Sequence, residues 1–316
     1  MPTIAELNRN IRDIINKPRK LSELLKVAAT WNKLCSCLDA IGNTELALDA
    51  FLKNGNVGDD GKHYLLFYGA LQVLVVQQDA VHNLANALNV NYTSDSLLDE
   101  IREIRNDSIG HPTKRNHKGN QKDGSSNRIM RISLSSHGFD LLKNYPDRRT
   151  EAINVNVTDY IHKQRASLTM KLAGIATLLK ETEMKHRRKF RHEILQDIFP
   201  STIDYDFEKI YGVCDGNESA EMGATAIKIT LAYLEKFKTA LQTRGILKAH
   251  DSVADDLDLI EYALTGLKKF VVGSADSTLD SKSANIFAFY AREHIDSLLE
   301  TAKEIDKEYA SDELLN

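Results

Sequence analysis

Cysteine, proline and glycine are all scarce in this sequence. Only three cysteines occur, Cys35, Cys37 and Cys214, and none forms a Cys-x-x-Cys pair, so reduced thiols are expected rather than a disulfide framework or a zinc ribbon. Five prolines and sixteen glycines in 316 residues interrupt the chain rarely, which favours long helices over many short strands. The fold is therefore expected to be mainly helical.

Long hydrophobic runs and an excess of one charge are missing as well. The longest apolar stretch, residues 64–76, contains Gln72 and is too short to span a bilayer, and residues 1–10 hold no apolar run of the signal-peptide kind. A net charge of −4 excludes a general basic field, so a polyanion would need a local basic patch. We expect a cytoplasmic protein without membrane contact.

The strongest helix signal covers residues 63–89. It is nearly all apolar over residues 64–76 and narrows to a stripe at helical spacing afterwards, which predicts a central core helix. Residues 3–54 are expected to form two or three helices before it, with a loop over residues 54–62. The polar residues of the core helix should find partners in the core or on a dimer face; they are Gln72, Gln77, Gln78, Asp79 and His82.

A change of period after residue 128 predicts a small antiparallel hairpin or three-stranded meander. Apolar and polar residues alternate at Met130, Ile132 and Leu134 and again over residues 153–157, with a further segment at 139–145. A long helix should follow, capped by Thr158 or Asp159 and ending near Asp197. Residues 199–216 are expected to be irregular, and further helices are predicted at 217–245, 252–272 and 282–309.

These patterns predict three domains. They are a helical domain over residues 1–127, a small β insert over residues 128–157, and an antiparallel helical domain with long helices over residues 158–316. No internal repeat relates the two helical parts.

One short helix carries an unusual charged residue. Its apolar face is formed by Leu98, Ile101 and Ile104, and Arg105 emerges from that same side. Gly110 and Pro112 flank His111, and the residue before a proline avoids helical geometry, so the helix should break near His111. Its expected N-cap is one of three residues, Thr93, Ser94 or Asp95.

The segment Ile104–Pro112 (IRNDSIGHP) resembles the signature of the HEPN superfamily: an arginine, a polar residue, and a histidine after four to six intervening residues. The resemblance covers roughly residues 20–125 and implies a HEPN-like helical bundle. It further implies a metal-independent endoribonuclease without a cofactor, of the kind used as a toxin or in phage defence. Arg105 would then hold the phosphate and His111 would transfer protons. Asn106 would orient the phosphate or the imidazole by hydrogen bonds.

The same resemblance implies partners. HEPN ribonucleases commonly join two motifs across a two-fold axis, so a homodimer with one composite site is expected, together with a regulatory protein partner. The adjacent basic residues would follow the RNA backbone; they are Lys114, Arg115, Lys118 and Lys122. A second basic cluster at 185–191 is either another RNA contact or a solvated helix end.

Other interpretations stay open. Similar Arg–His spacings recur at Arg131/His137 and Arg187/His192, so spacing alone does not identify a site. The motif is also favourable turn chemistry, and many HEPN-fold proteins are not nucleases; a non-catalytic helical module that binds a protein or ligand is the alternative. Thr113 stands where the HEPN toxins that are modified on tyrosine have that tyrosine, so their toxin–antitoxin arrangement is not expected for this chain. No metal site is expected from the histidines His162, His186 and His192.

Overall fold

The computed structural model of the chain describes residues 2–54, 58–113, 125–145, 149–247, 251–275 and 277–311. These ranges contain ten α-helices and one three-stranded antiparallel sheet. The prediction of a mainly helical protein with a small antiparallel β insert is confirmed. The helices are α1 (Ile4–Ile15), α2 (Pro18–Leu25), α3 (Ala28–Asn54), α4 (Asp60–Ala87), α5 (Ser96–Arg105), α6 (Val157–Phe190), α7 (Ile203–Cys214), α8 (Ala220–Thr243), α9 (Asp251–Val271) and α10 (Ser281–Ala310).

The chain divides into two compact units. Unit 1 comprises Met1–Ile15 and Val27–Leu179, and unit 2 comprises Asn16–Lys26 and Lys180–Asn316. This division differs from the boundaries expected after residues 127 and 157, because the sheet shares a core with the helices of unit 1 and α6 supplies residues to both units. None of the described helices has an apolar segment long enough to cross a membrane.

Helix α4 is the central helix of unit 1, as predicted. Its buried residues include Phe67, Leu71 and Leu74, which share one apolar core with α3, α5, the sheet and the start of α6. Two of its polar residues, Gln77 and Gln78, are buried and hydrogen-bond Gln164 at 3.0 and 2.8 Å. The others, Gln72, Asp79 and His82, are exposed, so α4 also has a solvent face.

The sheet is a meander of β1 (Ser126–Ile129), β2 (Gly138–Asn144) and β3 (Glu151–Asn156), in the order β1-β2-β3. Phe139, Leu141 and Val155 point from it into the core of unit 1. Gly138 is required at the start of β2, because a Cβ there would lie 1.9 Å from the carbonyl oxygen of Val155.

The first predicted strand was misplaced. Residues 131–133 form a 3-10 turn, and Ile132 is 89% exposed instead of facing the core. The reason is Ser133, whose Oγ accepts the amide hydrogen of Asp140 at 2.7 Å. A side chain thus replaces the backbone acceptor, and the chain leaves the sheet after β1.

The long helix α6 also differs from its predicted bounds. Its first turn is capped by Asn156, whose Oδ1 accepts the amide hydrogen of Asp159 at 3.0 Å, so neither Thr158 nor Asp159 is the cap. The helix ends at Phe190, earlier than the predicted Asp197. Asp306 accepts the amide hydrogens of Leu195 and Gln196 at 2.9 and 3.0 Å, which holds the chain in a separate short turn.

Unit 2 contains a helix that was predicted to be irregular. Helix α7 lies within residues 199–216 and buries Ile203, Phe207, Ile210 and Cys214 at helical spacing. The helices predicted at 217–245, 252–272 and 282–309 are confirmed as α8, α9 and α10. Together these helices enclose the apolar core of unit 2.

Candidate active site around Arg105 and His111

Helix α5 begins with a well-defined side-chain cap. Asp95 is the cap, and its Oδ1 accepts the amide hydrogen of Leu98 at 3.0 Å. Burial raises the pKa of Asp95, but hydrogen bonds from Ser167 and from the amide of Leu98 outweigh it, and the pKa lies below its usual value. The carboxylate is therefore ionised at neutral pH, where it also complements the helix dipole.

Helix α5 does not end in regular geometry. The segment Asn106–Gly110 is π-helical, and the amide of His111 donates to the carbonyl of Asn106 at 2.8 Å. His111 then leaves the helix with φ −142° and ψ 53°, as the flanking glycine and proline predict. Short π-helical insertions are frequent at functional sites because they change the direction in which side chains project.

Arg105 and Asn106 lie in direct contact. Nη1 of Arg105 donates to Oδ1 of Asn106 at 2.9 Å, and the same guanidinium lies over Gly110, where a Cβ would be 3.2 Å from Nη1. Arg105 is half-buried. Its Nε is buried, and no partner for it is found among the described residues. The guanidinium is thus held in a half-buried position by its contact with Asn106.

His111 is the exposed member of the set. It lies one π-helical segment beyond Arg105, and the structure shows no hydrogen bond, ion pair or ring contact of its imidazole within the described ranges. The structure therefore joins Arg105 to Asn106 and leaves His111 next to them in solvent. The expected RNA-backbone contacts lie outside the described residues; they are Lys114, Arg115, Lys118 and Lys122.

Sequence reasoning missed a polar layer beneath the motif. Asp107 is 1% exposed and forms an ion pair with Lys143 of β2, and the amide of Asn127 in β1 donates to the carbonyl of Pro112 at 2.6 Å. The hydroxyl of Ser108 is buried nearby in the same segment. A signal was present in the sequence: Lys143 follows Phe139 and Leu141 with a period of two, so it had to point inward.

The second basic cluster is not a uniform surface. Arg187 is 3% exposed, its Nη1 donates to the carbonyl of Glu308 at 3.0 Å, and it pairs with the Glu308 carboxylate. Lys185, Arg188 and Lys189 are exposed. Neither expected role fits Arg187, since a buried and paired guanidinium contacts neither solvent nor a polyanion.

A groove of about 870 Å³ lies elsewhere in unit 1, between α1, α3 and α6. Leu38 contributes to its apolar wall, and its rim carries the ion pairs Arg12–Asp39 at 2.7 Å and Arg165–Asp49 at 2.6 Å. No motif residue lines it. Among the residues that the structure describes, no group of three or more histidine, cysteine or acidic side chains is arranged to hold a metal ion.

The candidate site thus combines an arginine that is hydrogen-bonded to an asparagine with an exposed imidazole at a π-helical break, and a buried polar layer lies beneath them. Comparison with known proteins finds no family model, no curated protein and no solved structure that matches this chain.

Proposed function

We propose that this protein is a metal-independent endoribonuclease of the HEPN type, acting as a toxin or in phage defence, with Arg105 and His111 at its centre. The observation that carries the proposal is the π-helical break: it leaves His111 exposed, while Asn106 binds the neighbouring, half-buried Arg105. An accessible acid–base group near a fixed cation is a combination suited to phosphodiester cleavage.

The chemistry follows from these two side chains. One imidazole takes the proton of a ribose 2′-OH, whose oxygen attacks the adjacent phosphorus. The bond from phosphorus to the 5′-oxygen breaks, and a second, protonated imidazole gives its proton to that leaving oxygen. The products are a 2′,3′-cyclic phosphate and a 5′-hydroxyl. Arg105 would hold the non-bridging oxygens, where negative charge builds up in the transition state.

Two imidazoles are needed, and each motif supplies one. A second copy of the chain would supply the other, in the homodimer that the resemblance implies. The exposed face of α4 supports such an association. Its exposed residues recur at the alternating spacing of three and four that is typical of a helix–helix seam; they are Lys62, Leu65, Gly69, Gln72, Val76 and Asp79.

This seam is complementary to itself. If two copies of α4 met antiparallel about a two-fold axis between Gly69 and Gln72, Leu65 would face Val76 of the second copy and Lys62 would face its Asp79. Asp79 also pairs with Arg102 of its own chain at 2.7 Å, so Lys62 would join this pair. Leu65 is 74% exposed. A Cβ on Gly69 would meet nothing within 4 Å, so the unit itself does not require this helix-weakening glycine, whereas a closely packed second helix would.

The association has its own test by charge reversal. Lys62→Asp should weaken dimerisation in sedimentation equilibrium, and adding Asp79→Lys to the same chain should restore it, because the opposite charges again face each other. Lys163→Asp is the matched control, since Lys163 is an exposed lysine on α6. A chain that sediments as a monomer at every concentration would contradict the two-copy site.

The non-catalytic alternative is favoured by one observation, the groove between α1, α3 and α6. A cavity of about 870 Å³ with apolar walls and polar rims has the size and lining of a small-molecule site. If the protein cleaves no RNA and a ligand instead binds in this groove, that alternative replaces the nuclease.

The decisive experiment is cleavage of mixed RNA in EDTA by the full chain and its variants. We expect His111→Ala and Arg105→Ala each to reduce cleavage by about 100-fold or more, since acid–base and charge-stabilising groups contribute on that scale. Arg131→Ala and His137→Ala are matched controls, because they carry the same spacing and His137 is also exposed. Undiminished cleavage in both motif variants would refute the site.

A further inference from the structure

The inner face of the small sheet changes character along its length. Phe139 and Leu141 of β2 face the apolar core of unit 1, and the next residue on that face is Lys143. Lys143 is paired in register with Asn127 of β1. Both are largely buried, so the apolar layer ends in one polar cross-strand pair directly beneath the motif.

This cross-strand pair holds the motif at two points. The ammonium group of Lys143 forms an ion pair with Asp107, in the first turn of the π-helical segment. The backbone amide of Asn127 donates to the carbonyl of Pro112 at 2.6 Å. His111 lies between these two anchor points in the chain, so its backbone is fixed on both sides while its imidazole stays in solvent.

The burial of the ion pair distinguishes it from a surface contact. The side chain of Asp107 is 1% exposed and that of Lys143 is 13% exposed. A charged pair at such depth depends on its exact partner, because removing one charge leaves the other desolvated. It therefore fixes a geometry instead of adding a weak attraction, as an exposed pair would.

We propose that Lys143 is a positioning residue for His111, acting through Asp107, and that the Asn127–Lys143 pair is the platform on which the active-site break is built. The proposal rests on the proposed ribonuclease function for its kinetic consequences. Lys143 does not itself act on RNA, because its ammonium is neutralised by Asp107 and largely withdrawn from solvent. The β insert thereby gains a role, as the support of the site.

The test uses three variants of the full chain. Lys143→Met removes the charge, Lys143→Arg keeps it, and the double variant Asp107→Asn/Lys143→Met removes both charges, so that no buried charge is left unpaired if the single variant fails to fold. Lys171→Met is the matched control: Lys171 is a similarly buried lysine that pairs with Asp95 at the opposite end of α5.

Misplacing a catalytic group by about 1 Å can cost on the order of 100-fold in rate. We therefore expect Lys143→Met and the double variant to lower kcat by about 10- to 100-fold with KM changed less than about 3-fold. Lys143→Arg should recover most of the rate. In two-dimensional NMR, the ring resonance of His111 should shift in Lys143→Met and in the double variant and stay in place in Lys171→Met.

The cleavage rate and the His111 ring resonance distinguish failure of the ribonuclease proposal from failure of the positioning role of Lys143. If the wild-type protein cleaves no RNA, the ribonuclease proposal fails, while the His111 resonance still reports whether Lys143 positions that ring. An unchanged resonance and an unchanged kcat in both the single and the double variant would overturn the positioning role. Equal losses in Lys143→Met and Lys171→Met would do so too, since the effect would then be one of general stability.

Discussion

Three segments combine an arginine with a histidine at similar spacing, and the arginines of two of them, Arg105 in one compact unit and Arg187 in the other, have opposite environments. Arg105 is half-buried at the end of α5, bound to Asn106 and with a donor still free of described partners. Arg187 lies inside the regular helix α6, is 3% exposed, and is committed to acidic partners. The first arginine is half-buried at a helix end and the second is part of the core.

The different surroundings of Arg105 and Arg187 show that Arg–His spacing alone does not determine the environment of the arginine. In the first segment a π-helical break, a glycine and a proline change the direction of the chain between the two residues. In the second the helix continues through Arg187 to Phe190, and acidic groups surround the guanidinium: Glu183 on the same helix and Glu308 on α10. The local backbone and the nearby acids, rather than the residue pair, decide how deeply such an arginine is buried and whether it is paired.

The largest expected effect comes from removing the buried arginine. Arg187→Met should destabilise unit 2 by about 3 kcal/mol, because breaking a buried ion pair leaves uncompensated groups in the core. Arg105→Met should change the stability of unit 1 by less than about 1 kcal/mol, which is typical of a partly exposed site. Hydrogen exchange of α10 amides reports on unit 2, and fluorescence of Trp31, the only tryptophan, reports on unit 1.

Arg188→Met serves as the control for this pair, since Arg188 is the exposed neighbour of Arg187 on the same helix. If Arg187→Met and Arg188→Met had equal effects on exchange, Arg187 would not be the structural residue that its burial indicates.

A second, smaller effect should appear in the pH dependence of unit 2. Burial lowers the pKa of His186 to about 4, and the Arg19 guanidinium acts in the same direction; Lys189 and Arg244 oppose its protonation as well, while Glu183 favours it. The unfolded chain, with a pKa near 6.5, binds the proton first. The stability due to neutral His186 is therefore complete above about pH 6.5 and declines towards pH 4.

His186→Gln should flatten this decline between pH 6.5 and 4.5, and it can keep a hydrogen bond to Tyr309, which His186 contacts at 3.1 Å. His162→Gln is the control, because His162 is exposed on the part of α6 that belongs to unit 1. Exchange rates of α10 amides over this pH range provide the measurement. Parallel pH profiles for wild type and His186→Gln would contradict the role of this histidine.

The smallest effect tests the geometry of the motif itself. In Gly110→Ala the new Cβ would lie 3.2 Å from Nη1 of Arg105 and 3.4 Å from Oδ1 of Asn106, so the flexible guanidinium must shift slightly. We expect RNA cleavage to fall by about 3- to 10-fold with little loss of stability. Gly174→Ala, on an open face of α6, should instead stabilise unit 1 by about 0.5–1 kcal/mol. Unchanged cleavage in Gly110→Ala would separate the Arg105–Asn106 contact from activity.

Local sequence signals predicted the motif helix well. A cap within residues 93–95, the buried Leu98, Ile101 and Ile104, and the break at His111 all follow from neighbouring residues, because caps, stripes and proline effects act within one or two turns. Which of the three candidates is the cap, Asp95, was decided by the structure. The misplaced first strand followed from a contact that no local pattern contains, the Ser133 side chain accepting from Asp140. Helix α7 carries a stripe of apolar residues at helical spacing, so a helix at this position is also compatible with the local sequence pattern.

The sequence by itself determined the helical class, the approximate bounds of α4, α8, α9 and α10 and the segment that ends α5, since periodicity and capping are local properties of the chain. Only the tertiary structure decided which partners the buried charged residues find. It joined Lys143 to Asp107 across 36 positions (143 minus 107) and Arg187 to Glu308 across 121. Such ion pairs form where distant segments exclude water together, and the spacing of residues along one helix carries no record of that.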